Sequence, residues 1–190
     1  MKVETIEIAG LAGALTALRL PFGKDVRSEM NLAHDNFRGS PLDENVFAWD
    51  KRQYIVVKDK DLTLMTTLVK RGDEHAKVVR GIMVWAKITA PVYWWCEEET
   101  YRMGHERLAS ESTMHIDVRG LSGEELQRAK SAIPMGKELT KVDMFSYQTL
   151  RRIVAQRHNH RLPEWHTFID WIRTLPYAEE LIFVGLETEE

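Results

Sequence analysis

The chain opens on alternation. Val3-Glu4-Thr5-Ile6-Glu7-Ile8 sets apolar against polar residues as a half-buried strand does. Residues 10–20 are rich in Ala and Leu and predict a helix that stops before Pro21. Residues 21–50 carry Gly, Pro, Asn and Asp at intervals with no clear period, and read as an irregular excursion, of a length usually kept for function. Tyr54-Ile55-Val56-Val57 predicts a short strand. Leu62, Leu64, Met65, Leu68 and Val69 form a helical stripe that Gly72 ends. Asp73 is a candidate N-cap for a second helix reaching about Ile82. Residues 83–90 read as a buried strand ending at Pro91. Helical spacing resumes from Tyr93 to about Met103, then over residues 122–133 and 142–157. Pro163 suits the first turn of a last helix ending near Thr174. Leu181-Ile182-Phe183-Val184 fits a closing strand or a helical tail. With no repeat and no low-complexity linker, residues 1–190 read as a single domain of the α/β class, α+β in type.

Charge and composition narrow the function classes. There are 26 basic and 29 acidic side chains, a net charge of -3. That balance offers no bulk attraction for nucleic acid, so no nucleic-acid partner is expected and any anion site must be built locally. Glu4 and Glu7 precede the apolar run 9–20, where a signal peptide would carry positive charge, and the run is too short to span a bilayer. No membrane partner is expected. Cys96 is the one cysteine and cannot form an internal disulfide, which fits a reducing, cytoplasmic setting. The three glutamates after it disfavour a thiolate, and burial as a small apolar residue is the expectation.

The richest segment is residues 101–115. It packs Arg102, Arg107, His105, His115, Ser110, Ser112, Thr113 and Gly104 into one polar run after the aromatic pair Trp94 and Trp95. Arginine suits bidentate phosphate recognition, and hydroxyls with backbone amides complete such a cradle. A solvated loop fits the same composition. Lys77 and Arg80, three apart, offer either a phosphate clamp or a solvated basic face. His158, His160 and His166 stand in a basic run without cysteine or a well-spaced carboxylate. A cation-dressed helix end accounts for them better than a metal site, and none is assigned. The tryptophans Trp85, Trp94, Trp95, Trp165 and Trp171 are read as core and interface.

Over residues 59–175 the order of segments resembles the flavin-dependent thymidylate synthases, the ThyX family. The resemblance is carried by the helix ending at Gly72, by His75, by the strand leading to Ala90-Pro91, and by a helix entering the signature frame. That frame, RHR, seven residues, then Ser, is occupied by Arg102-Met103-Gly104 and Ser112. Arg157, near the end of a later helix, precedes Asn159-His160 and Glu164-Trp165. The fuller pattern, with Tyr93-Trp94-Trp95 and Ser112-Thr113-Met114-His115, is similar to phage-type relatives of the family. Met103, Gly104 and Met114 depart from the signature, Glu99 stands where the family has Gln, and Arg80 takes the place of an acid.

The resemblance implies a ThyX-like fold, a small mixed sheet flanked by helices. It implies an enzyme that moves a one-carbon unit from methylenetetrahydrofolate to a pyrimidine deoxynucleotide of the dUMP type, with FAD as cofactor and NADPH recharging it. It further implies a homotetramer with sites at subunit junctions. Carried over by position, His75 and Arg102 would face the flavin, while Ser112 and Arg157 would face the nucleotide. Lys77 and Arg80 would add phosphate contacts. Two other readings stay open: nucleotide binding on the same fold without flavin chemistry, and a phage structural or interaction protein.

Overall fold

The computed structural model describes residues 1–23, 46–50 and 53–186. Most of the excursion placed at residues 21–50 lies outside the described residues; a 3-10 turn spans Leu20–Phe22 at its start.

Two sheets are present among the described residues. The larger runs β1 (Lys2–Ala9), β4 (Met83–Pro91), β6 (Glu138–Ser146) and β5 (His105–Ser110) in that spatial order. The smaller pairs β2 (Val46–Asp50) with β3 (Gln53–Val56). Among the described residues the helices are α1 (Leu11–Arg19), α2 (Asp59–Lys70), α3 (Val92–Glu98), α4 (Thr113–Ile116), α5 (Gly123–Ser131), α6 (Tyr147–Arg157) and α7 (Pro163–Arg173), with a 3-10 turn at Lys77–Arg80 and a π-helical turn at Glu179–Phe183.

The sheet expected to be mixed is antiparallel throughout, since every ladder pairs strands of opposite direction. The helix expected from Asp73 reduces to the 3-10 turn, because residues 73–76 close a tight turn in which His75 N and Ala76 N both donate to Gly72 O. The helix expected over 142–157 begins only at Tyr147, where the Ser146 hydroxyl caps it by accepting from Thr149 N. The helix from Tyr93 stops at Glu98, and the polar run after it holds a strand, β5. Residues 181–184 fall in or beside the π-helical turn. Cys96 is exposed rather than buried, on the outer side of α3.

One face of the larger sheet carries Val84, Ala86 and Ile88 of β4, opposite Phe145, Asp143 and Lys141 of β6. That face meets a ring cluster. Trp94 packs on Trp165 at 4.9 Å and on Phe168 at 5.4 Å, and Phe168 reaches Phe145 at 5.8 Å and Trp171 at 5.1 Å. Burial of Phe145 or Phe168 stabilises by roughly 1.5–3 kcal/mol each. Trp94, Trp95, Trp165 and Trp171 are core residues; Trp85 is half-buried on the opposite face. At the start of α1, Gly10 sits at φ 91°, and a Cβ there would lie 1.8 Å from Gly81 O. Only glycine permits this approach, which seats α1 against the turn before β4. Among the described residues no helix is long and apolar enough to cross a membrane.

Candidate functional site

Helix α3 places three consecutive glutamates at one spot. Its first turn follows Pro91, and its two tryptophans anchor it. Trp95 Nε1 donates to Ala90 O at 3.0 Å and to Leu139 O at 3.1 Å, tying the helix to β4 and β6. The helix therefore ends in a fixed position, and Glu97, Glu98 and Glu99 project from its last turn with different surroundings.

Glu98 is fully buried. It meets His105 and Arg107 of β5 and Asp143 of β6. The β5–β6 register sets Arg107 opposite Asp143 and His105 opposite Phe145, so all of these side chains share the core face. Arg107 Nη2 donates to Glu98 Oε2 at 2.8 Å, and its Nε and Nη2 grip the Asp143 carboxylate at 3.1 and 3.2 Å. His105 stacks flat on Phe145, with ring centroids 4.5 Å apart. Its Nδ1 lies 2.8 Å from Tyr101 O, so Nδ1 carries a proton and donates it to that carbonyl. Its Nε2 lies 3.3 Å from Glu98 Oε1 and 3.4 Å from Asp143 Oδ2. Among the described residues neither Nε2 nor Glu98 Oε1 has a hydrogen-bond partner, and both are buried.

Burial pushes the Glu98 carboxyl up to about 7, against the pull of His105. Burial acts to lower the imidazole of His105, but Asp143 and the Glu98 charge outweigh it and the net direction is upward. Glu99, at the surface, accepts from Arg107 Nη1 at 2.6 Å and from Lys141 Nζ at 3.1 Å. Lys141 also lies over the Trp95 ring, 4.3 Å from its centroid. Beside this cluster opens a cavity of about 400 Å³ lined by Glu99, Arg102, His105, Glu106 and Arg107.

Glu97 faces the other way. Its Oε2 accepts from Arg157 Nη1 and from Trp165 Nε1, each at 3.0 Å, and lies 3.3 Å from His160 Nε2. Arg157 Nε also donates to the Tyr101 hydroxyl at 2.9 Å, and its guanidinium stacks over Trp165 at 4.9 Å.

A second cavity, of about 450 Å³, lies between α1, α2 and the 77–80 turn. Small and apolar residues line most of it, Gly10, Gly13, Ala14 and Leu18 among them, with His75 and Lys77 as its polar members.

The six residues singled out from the sequence are thus distributed. His75 and Lys77 share the second cavity. Arg80 turns away from that wall and donates to Asp73 O at 2.7 Å. Arg102 is exposed on the first cavity. Ser112 is the residue before α4, where its carbonyl accepts from His115 N and Ile116 N at 3.0 and 3.1 Å. Arg157 is engaged by Glu97. Among the described residues, His75 and Arg102 line different cavities. Sequence reasoning passed over Glu98 and Asp143 and gave His105 no role of its own. Their positions, 7 and 38 residues apart in turn, follow no local motif; only strand register brings them together.

Gly104 explains one departure from the signature frame. It adopts φ 73°, and a Cβ there would lie 2.5 Å from Ser146 Oγ and 2.7 Å from Thr149 Oγ1. An arginine at this position would be strained in its backbone and would have to displace the Ser146 and Thr149 side chains.

No protein-family model matches the chain, and no curated protein matches it. Solved structures do. Thymidylate Synthase X (ThyX) from Helicobacter pylori, crystallised with FAD and dUMP, superposes with a TM-score of 0.65 at 13% identity, over 98% of this chain and 100% of that one. A flavin-dependent thymidylate synthase ThyX from Helicobacter pylori, complexed with FAD and dUMP, gives 0.65 at 12% identity, over 97% and 99%. The UMP/dUMP methylase PolB from Streptomyces cacaoi, bound with 5-Br dUMP, gives 0.61 at 12% identity, over 98% and 93%. The fold is ThyX-like. Identities this low carry the architecture and leave the reaction to be argued from the chain's own residues.

Proposed function

We propose that the chain is a divergent ThyX-like enzyme acting on a pyrimidine deoxynucleotide of the dUMP type. One-carbon transfer from methylenetetrahydrofolate is the proposed reaction, with FAD as cofactor and NADPH as reductant. The observation that carries this reading is the length of the likeness. It spans 98% of this chain and all of a chain crystallised with FAD and dUMP.

The chain's own side chains support a small anionic ligand. Arg102 and Lys77 have no ion-pair partner among the described residues, and each borders a cavity. A phosphate dianion gains charge-assisted hydrogen bonds from such cations. FAD fits a single chain only in part, because His75 and Arg102 border different cavities. In a homotetramer with sites at subunit junctions, two copies of the chain would bring them to one flavin. The flavin, when bound, supplies the hydride; the protein supplies orientation and charge.

The second reading, nucleotide binding without flavin chemistry, is favoured by Gly104. The geometry at that position disfavours the family's second signature arginine, and Met103 replaces its histidine.

Mass spectrometry of small molecules released from freshly purified protein tests both. A flavin with a dUMP-induced rise in Tm supports the enzyme, and nucleotide alone supports the binding protein. Absence of flavin, of nucleotide and of any dUMP shift would overturn both. With dUMP bound, Arg102→Ala is expected to raise Kd about tenfold or more, the worth of one charged hydrogen bond.

A further inference from the structure

We propose that Glu98, His105 and Asp143 form a binding site for one divalent transition-metal ion of the zinc type. This rests on no part of the nucleotide reading.

The donor set comes first. An imidazole nitrogen and two carboxylate oxygens are borderline to hard donors, which suit zinc or manganese. One candidate ligand atom from each residue lies within 4.8 Å of the others. His105 Nε2 stands 3.3 Å from Glu98 Oε1 and 3.4 Å from Asp143 Oδ2. Zinc bonds of about 2.0–2.2 Å put neighbouring ligands of a tetrahedron roughly 3.3–3.6 Å apart. Both contacts thus have the spacing of atoms that share an ion.

The second observation is what these atoms lack. Among the described residues Glu98 Oε1 and His105 Nε2 have no hydrogen-bond partner, although Glu98 is fully buried and the His105 side chain is only 7% exposed. An imidazolium held between two carboxylates would direct a good hydrogen bond to one of them. Burying a polar atom unpaired is costly, and an ion removes that cost for both atoms at once.

The third observation is the support around the ligands. His105 Nδ1–H donates to Tyr101 O, which leaves the Nε2 lone pair facing the carboxylates. Arg107 holds Glu98 by Oε2 and Asp143 by both oxygens, so Glu98 Oε1 stays open and the carboxylates are fixed in place. Phe145 fixes the ring plane from below. Metal ligands are held in this way by outer hydrogen bonds. His105 also borders the 400 Å³ cavity, so a fourth ligand, water or a substrate anion, enters from the side where Arg102 stands.

The test uses the full chain. Protein stripped with chelator is titrated with zinc chloride, and in parallel with manganese chloride, by calorimetry. One equivalent of zinc per chain is expected, with a rise in Tm. His105→Gln and Asp143→Asn are each expected to weaken binding by at least about 100-fold, more than loss of a supporting hydrogen bond causes. His166→Ala is expected to bind as the parent does. X-ray absorption on the zinc-loaded parent, which needs no variant to fold, should show oxygen ligands and a single imidazole. The proposal is overturned by absence of stoichiometric binding of either metal, by parent-like binding in His105→Gln, by loss of binding in His166→Ala, or by a spectrum with two or more imidazoles.

Discussion

Glu97 keeps 34% of its side chain in water and gathers Arg157 and Trp165 as donors on one oxygen. Glu98, the next residue of α3, has no exposed side chain and leaves Oε1 without a donor. One residue of helix rotation separates them. The first belongs to a network that is complete within the chain. The second belongs to a cluster that is well built on its outer side and open at its centre. The difference teaches where to look for a ligand: a satisfied polar group explains itself, whereas a buried, oriented and unsatisfied one points to something that binds.

Truncation separates the two most sharply. Glu98→Ala, assayed by chemical denaturation of chelator-treated protein, is expected to cost roughly 3–5 kcal/mol, because Arg107 and His105 lose a buried partner and a void remains. Glu97→Ala should cost less, about 1–3 kcal/mol. Its main debt is Trp165 Nε1 left unpaired, since Arg157 keeps the Tyr101 hydroxyl and some access to water. Equal costs would break the comparison, for then exposure and satisfaction would not distinguish the sites.

Gly104 tests whether the open cluster depends on the entry to β5. Gly104→Ala forces an L-residue into the left-handed region, at roughly 1–3 kcal/mol before overlap with Ser146 and Thr149 is counted. The same strain shifts His105, the next residue. Zinc affinity in this variant is therefore expected to fall together with Tm. A loss of stability with unchanged affinity would show that β6 and α3, rather than β5, set the ligand geometry.

The architecture was legible where side chains obeyed their periods. β1, α1, α2, β4 and α7 were all read at nearly their observed bounds. The second half of β6, from Val142, was read as helix: the strand's core face carries Lys141 and Asp143, while apolar Val142 and Met144 sit half-buried on the other. β5 was read as a polar turn for a like reason: its inward residues are His105 and Arg107. Charges enter the core on both strands because they pair across the ladder, and that pairing is a tertiary fact no local spacing contains. Of the candidate site, the segment was legible and the chemistry was not. Residues 101–115 were singled out for Arg102 and Ser112, whereas the buried cluster is built on His105 and Arg107. Its other half comes from Glu98 and Asp143, outside that segment.

The tryptophans of α3 repeat the contrast on a smaller scale. Trp95 Nε1 donates to two backbone carbonyls, and Trp94 Nε1, equally buried, donates to none. Replacement by phenylalanine opens a similar void at either position. Trp95→Phe is therefore expected to cost about 1 kcal/mol more than Trp94→Phe, the net worth of the hydrogen bond lost. Equal costs would mean that packing alone fixes the helix end.

The smallest effect expected is at Asp73, which marks the far limit of the comparison. Its Oδ2 accepts from Arg152 Nε and Nη2 at 3.2 and 2.8 Å, two donors on one oxygen at the surface, where Arg107 takes both oxygens of Asp143 in the core. The hydrogen bond from Arg152 outweighs partial burial and holds the Asp73 carboxyl below its usual range. A depressed carboxyl stabilises the fold at pH above its unfolded value and loses that contribution as pH falls through the folded one. Water and salt screen the pair, so Asp73→Asn at neutral pH should cost no more than about 1 kcal/mol, and the difference from the parent should shrink in high salt and again at strongly acidic pH. The 143–107 pair, with Asp143 fully buried, should keep most of its contribution in the same salt. If salt abolishes both alike, the cluster under α3 is wetter than its geometry shows, and its two unpartnered atoms are solvated rather than waiting for an ion.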